Sequence, residues 1–263
     1  MSPIAWAAAG TGFTFLMTAF GASLVFFFRG EPNPNTQRTF LGFAAGVMVA
    51  ASVWSLLIPA IEEAEAAGGS GLLPAAGGFI LGVAFLMLMD RLMPHLHLGA
   101  EKPEGISSSL RRTTLLVLAM TLHNIPEGMA VGLTFALAAQ HGESPAALSA
   151  AMALALGMGI QNFPEGAAVS LPLRKEGMKT FRAFLMGAFS GVVELVFGVL
   201  VVLVAGSIRP VMPWMLSFAA GSMLYVVVEE LIPEAHLGEH SHVGTVSTLA
   251  GFLVMMILDV ALG

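Results

Sequence analysis

Eight stretches of the chain stay apolar for about twenty residues or more, the length an α-helix needs to cross a bilayer core of roughly 30 Å. Hydrocarbon offers no water to backbone N–H and C=O groups, so a stretch of this kind has one local solution, the helix. The runs cover 4–28, 39–61, 72–92, 113–139, 146–173, 180–206, 211–232 and 243–262. Turn-forming residues mark the joints: Arg29-Gly30-Glu31-Pro32-Asn33-Pro34, Gly68-Gly69-Ser70-Gly71 and the segment 94–109. All joints are short, leaving no room for a soluble domain. Charged residues make up 11% of the sequence, against about 25% in soluble domains, and the mean hydropathy is +0.84. The expected fold is an all-α integral membrane protein of one polytopic domain, residues 1–263, with the lipid bilayer as its solvent. The net charge of -6 is a poor guide to partners in such a chain, where the placement of each charge between spans matters more, and nucleic-acid binding is not expected. Without cysteine there is no thiolate metal site, so any metal must be held by nitrogen and oxygen. The start, Met1-Ser2-Pro3-Ile4-Ala5-Trp6, has no basic residue ahead of the first run, and is read as part of a first span rather than a cleaved leader.

Basic residues set the orientation. Arg29 and Arg38 flank the first joint, Arg91, Lys102, Arg111 and Arg112 the third, and Arg174, Lys175, Lys179 and Arg182 the fifth. Only Arg209 falls on the other side. By the positive-inside rule the crowded side is the cytoplasm, which places both termini outside it. A bacterial inner (plasma) membrane location is the corresponding expectation.

Within the fourth run stands His123-Asn124-Ile125-Pro126-Glu127-Gly128, and within the fifth Gln161-Asn162-Phe163-Pro164-Glu165-Gly166. A charged side chain at membrane depth costs about 2.5–3.5 kcal/mol on insertion scales, so two matched polar sets there point to function. Residues i and i+4 share a helix face, which stacks His123 over Glu127 and Gln161 over Glu165, while the asparagines stand to one side. The two helices run antiparallel, so the motifs should meet near mid-membrane as neighbouring ligand sets. Pro126 and Pro164 each remove a backbone donor. Gly128 and Gly166 would admit a neighbouring helix closely. Imidazole, carboxylate and amide ligands without sulfur suit Zn²⁺ and, less selectively, Fe²⁺, Mn²⁺, Co²⁺, Ni²⁺ or Cd²⁺.

With these motifs, the chain resembles the ZIP (Zrt/Irt-like) family of divalent metal transporters, and within it the bacterial GufA-type members. The likeness includes Leu41-Gly42-Phe43-Ala44-Ala45-Gly46 in the second span and Ile232-Pro233-Glu234-Ala235-His236 ending the seventh. It implies eight transmembrane helices in a 3+2+3 inverted-repeat bundle, with spans one, four, five and six moving against two, three, seven and eight, in a homodimer. It implies a binuclear site, one metal held by His123, Glu127, Gln161 and Glu165. The second would use Asn124, Asn162 and Glu194, bridged by the same two glutamates. Where some bacterial members carry aspartate this chain has Asn162, one negative charge fewer. The resemblance further implies zinc carried into the cytoplasm by alternating access, with no catalytic residue and no resident cofactor. Carboxylates ligate metal only when deprotonated, so coupling to protons is a further expectation.

Outside the paired motif, Glu230, His95 and His97 are expected as exit ligands on the cytoplasmic side and Asp259 as an entrance residue. Glu62, Glu63 and Glu65 close the second span at its outer end, where they read as solvated charges. Similar Phe40–Gly46 and Met215–Gly221 segments in spans two and seven fit the inverted repeat. Two other classes compete. A gated divalent-cation channel would use the same residues as a filter. An intramembrane metalloenzyme needs a set such as H-E-x-x-H, which the sequence lacks.

Overall fold

The computed structural model describes residues 2–28, 33–95, 105, 112–205, 209–236 and 242–262. Among them, eight helices are long and apolar enough to cross a membrane: α1 (Pro3–Phe26), α2 (Pro34–Ala66), α3 (Leu72–Leu92), α4 (Thr113–Gln140), α5 (Pro145–Lys175), α6 (Thr180–Val204), α7 (Met212–Ala235) and α8 (Val243–Leu262). Several starts are written in the sequence. Ser2, Asn33 and Ser144 each accept a backbone N–H of the first turn, and a proline follows each of them. That capping begins α2 five residues ahead of the apolar run, on the polar stretch Pro34–Arg38. Past α5, Gly177 turns the chain at φ +88°, a left-handed conformation open to glycine at no steric cost.

The bundle turns apolar side chains outward and keeps polar ones inside, among a core of Ala, Val, Leu and Met. Leu16, Phe20, Leu72, Leu73, Ile80, Leu203, Leu249 and Ile257 are exposed on its flanks, whereas Thr11, Thr14, Thr18, Ser170 and Ser217 are buried. That inversion suits a lipid surround. Helices pair through small residues: a Cβ added at Gly46 would overlap the Thr248 carbonyl, and one at Gly251 the Phe43 carbonyl, which holds α2 against α8. Gly82 meets Phe218 and Gly221 meets Phe79 in the same way, joining α3 to α7. Gly21 and Gly166 seat α1 on α5, and Gly128 and Gly132 seat α4 on α6. Exchanging α1–α3 with α6–α8, and α4 with α5, carries these four pairs onto one another, the relation an inverted 3+2+3 repeat requires. Helices α1, α4, α5 and α6 pack together, while α2–α8 and α3–α7 meet through α2 and α7.

Three local irregularities escape periodicity. One wide π turn lies in α2 at Ser52–Leu57 and another in α7 at Val227–Leu231, each just ahead of an Ile-Pro pair. Gly191 interrupts α6, so that Glu194 stands in the first turn of the second half.

Candidate metal centre

Antiparallel α4 and α5 bring the two motifs face to face. Gln161 lies at their centre: its Nε2 is 2.7 Å from Glu127 Oε1, 3.2 Å from Glu165 Oε1 and 3.2 Å from Asn162 Oδ1. An amide nitrogen has two hydrogens. Here three oxygens converge on it, two of them from carboxylates brought by different helices. All the side chains concerned are buried. Glu127 interacts electrostatically with both Glu165 and Glu194, an arrangement a divalent cation would relieve.

Glu194 closes the far side. Its Oε2 accepts from Asn162 Nδ2 at 2.8 Å and its Oε1 from the Thr18 hydroxyl at 3.4 Å. Asn162 Nδ2 also lies 3.4 Å from the Thr14 carbonyl of α1. Thus α1 lends Thr14 and Thr18 to the site, residues not anticipated from sequence although Thr11, Thr14 and Thr18 share one face of an otherwise apolar helix. Asn124 Nδ2 donates to the Ser190 carbonyl at 3.0 Å, an acceptor beside the break in α6.

His123 pairs through Nε2 with Glu230 Oε1, which the π turn of α7 presents. The proposed exit residue therefore meets the central motif itself rather than a separate cluster downstream. Among the described residues, no three His, Asp or Glu side chains are grouped so as to hold a metal ion. Two amide oxygens, Asn124 Oδ1 and Gln161 Oε1, and two carboxylate oxygens, Glu127 Oε2 and Glu165 Oε2, are buried without a hydrogen-bond partner. Buried oxygens of this kind cost about 1–3 kcal/mol each unless something satisfies them. Four of the seven expected ligands share that condition.

The remaining candidates lie apart from this network. His95 is buried just past the C-terminal end of α3, with Nε2 2.9 Å from Asp90 and Nδ1 2.8 Å from the Met93 carbonyl. Asp90 in turn accepts from Tyr225 of α7 at 3.3 Å. His97 lies outside the described residues. Asp259 Oδ1 accepts from Ser55 of the α2 π turn at 2.6 Å, while its Oδ2 is unpartnered. Glu63, read from sequence as a solvated charge, lies 2.5 Å from His141 Nε2 just past the end of α4, in an exposed pair.

The profile of the ZIP Zinc transporter family matches residues 98–259, a stretch that holds both motifs, Glu194 and Asp259. The chain belongs to the ZIP family. It is 39% identical to the zinc transporter ZIP11 of Homo sapiens, over 97% of this chain and 96% of that protein. Against the zinc transporter GufA of Myxococcus xanthus the identity is 38%, over 89% and 90%. The zinc transporter ZIPB of Bordetella bronchiseptica is 37% identical, over 99% of this chain and 82% of that one. Membership makes this ZIP chain a transporter and not an enzyme.

Proposed function

We propose that this ZIP protein carries divalent transition metal, zinc foremost, into the cytoplasm by alternating access through the α4–α5 centre. Zinc is also what the three relatives are named for. The observation that carries the reading is the convergence of Glu127, Glu165 and Asn162 oxygens on the Gln161 nitrogen. A metal ion would take the place of that nitrogen, and turning the amide over would present Gln161 Oε1, now unpartnered, as a ligand. His123, Glu127, Gln161 and Glu165 form the first set, and Asn124, Asn162 and Glu194 the second, with Glu127 and Glu165 bridging. Release to the cytoplasm falls to Glu230, which already touches His123. Asp259 serves entry. Both termini lie outside the cytoplasm, and the working unit is a homodimer.

The deciding experiment is uptake into proteoliposomes by the purified protein, with Zn²⁺ competed by Cd²⁺, Fe²⁺, Mn²⁺, Co²⁺ and Ni²⁺. Saturable, slow uptake with zinc preferred is the expected result. Resolvable single-channel currents would replace the carrier by a gated channel, and transport of none of these ions would overturn the reading.

Gln161→Ala separates the two roles given to the amide. Loss of its donors strands Glu127 Oε1 and Glu165 Oε1 in the metal-free protein, costing about 1–3 kcal/mol. The melting midpoint without metal should fall. Were Gln161 only a ligand, the metal-free midpoint would hold and only the zinc-induced rise would shrink.

A further inference from the structure

We propose that the groove between the basic-side ends of α4 and α6 binds an anionic phospholipid. The groove is a cavity of about 640 Å³ that opens on the surface of the bundle. Its two walls are single helix faces: Thr113, Val117 and Leu118 on α4, Lys179, Arg182 and Met186 at the start of α6. Each wall changes character along its length. Thr113 and Thr114 stand one turn before Val117 and Leu118, and Lys179 and Arg182 stand one to two turns before Met186.

Met178 at the mouth aside, the polar groups are therefore at one end and the apolar ones along the floor. From Lys179 to Met186 the helix rises about 10 Å. The mouth lies at the ends of two membrane-spanning helices, which is headgroup level, and the floor reaches into the hydrocarbon. Such a gradient fits one molecule with a charged head and an acyl tail. Charge selects the head: Lys179 and Arg182 are both exposed there, against a single lining carboxylate, Glu176. Basic pockets between helices on this side of a membrane suit anionic headgroups. A soluble anion would satisfy the mouth and leave Val117, Leu118 and Met186 uncovered.

The groove's lining includes none of the seven expected metal ligands, so the proposal does not depend on the metal assignment. It is tested on the whole purified protein, stripped of lipid and offered phosphatidylglycerol or phosphatidylcholine, with retained lipid read by native mass spectrometry. The intact chain should retain phosphatidylglycerol in preference. A Lys179→Gln/Arg182→Gln double variant should hold it about thirtyfold less well, from roughly fivefold for each basic residue near an anionic surface. Zinc uptake by the variant in vesicles shows that it is folded. Equal retention of the two lipids by the intact chain would overturn the proposal. So would undiminished phosphatidylglycerol on the variant, or displacement of the lipid by inorganic phosphate.

Discussion

Zinc uptake is expected to fall roughly a hundredfold or more when His123 or Glu127 is replaced by alanine, the upper end of what even an outer-shell metal partner costs. Glu127 contributes the shortest bond to the Gln161 hub and leaves its second oxygen unpartnered, so its loss removes both a ligand and the bridge between the two sets. His123 is the only nitrogen ligand among the proposed seven, and its side chain also contacts Glu230, so its loss affects binding and release together. The measurement is initial uptake rate into proteoliposomes, with the melting midpoint as a control for folding. Glu127→Gln keeps the shape and some of the hydrogen bonding, and should be as inactive as Glu127→Ala while melting nearer the parent. Uptake left unchanged in either alanine variant would sink the site assignment.

Gly128→Ala should also cut uptake, less steeply and by a different route. A methyl group there would run into the backbone of Glu194, including its Cα and carbonyl, where α6 resumes after its break at Gly191. Neither partner is a flexible side chain, so the helices must separate. Overpacking of this kind costs about 1–3 kcal/mol, occasionally more. Glu194 moves with α6, away from Asn162 and Thr18, and uptake should fall about tenfold or more even in the folded fraction. Gly12→Ala provides the contrast, since a Cβ at that position meets nothing within 4 Å. It should match the parent or gain up to about 1 kcal/mol, because glycine within a helix is the costlier residue. A Gly128→Ala protein that melts and transports like Gly12→Ala would show that the α4–α6 contact is not needed.

The spans could be read from the sequence because hydrocarbon thickness and backbone satisfaction leave few choices for a long apolar run. The paired motif could be read for a related reason: His123, Glu127, Gln161 and Glu165 are conspicuous where polar groups are costly. Threonine is not conspicuous in a membrane helix, since its hydroxyl bonds back to its own helix, as Thr11 does to the Ala7 carbonyl. Thr14 and Thr18 therefore drew no notice in the sequence. The His123–Glu230 contact joins residues more than a hundred positions apart, and Glu230 reaches inward from a π turn that no hydrophobic period announces. The exposed partner of Glu63, His141, escaped notice for the same reason, lying beyond two intervening joints. Gly191 gave a weak signal, but nothing in a single glycine says that the helix breaks there.

The hydrogen bond from Gln161 to Glu127 also bears on how such a chain enters the membrane during synthesis. Glu194 ends up bonded to Thr18, 176 residues earlier, so the finished centre cannot exist until α6 has emerged. Helices α4 and α5 leave the ribosome before that, already carrying two carboxylates and three amides in their paired motifs. Joined by the short segment 141–144, they can enter the bilayer as a hairpin in which the amide of one strand of the hairpin answers the acid of the other. Each polar set thereby serves as the other's solvent for the interval before α1 and α6 close around them.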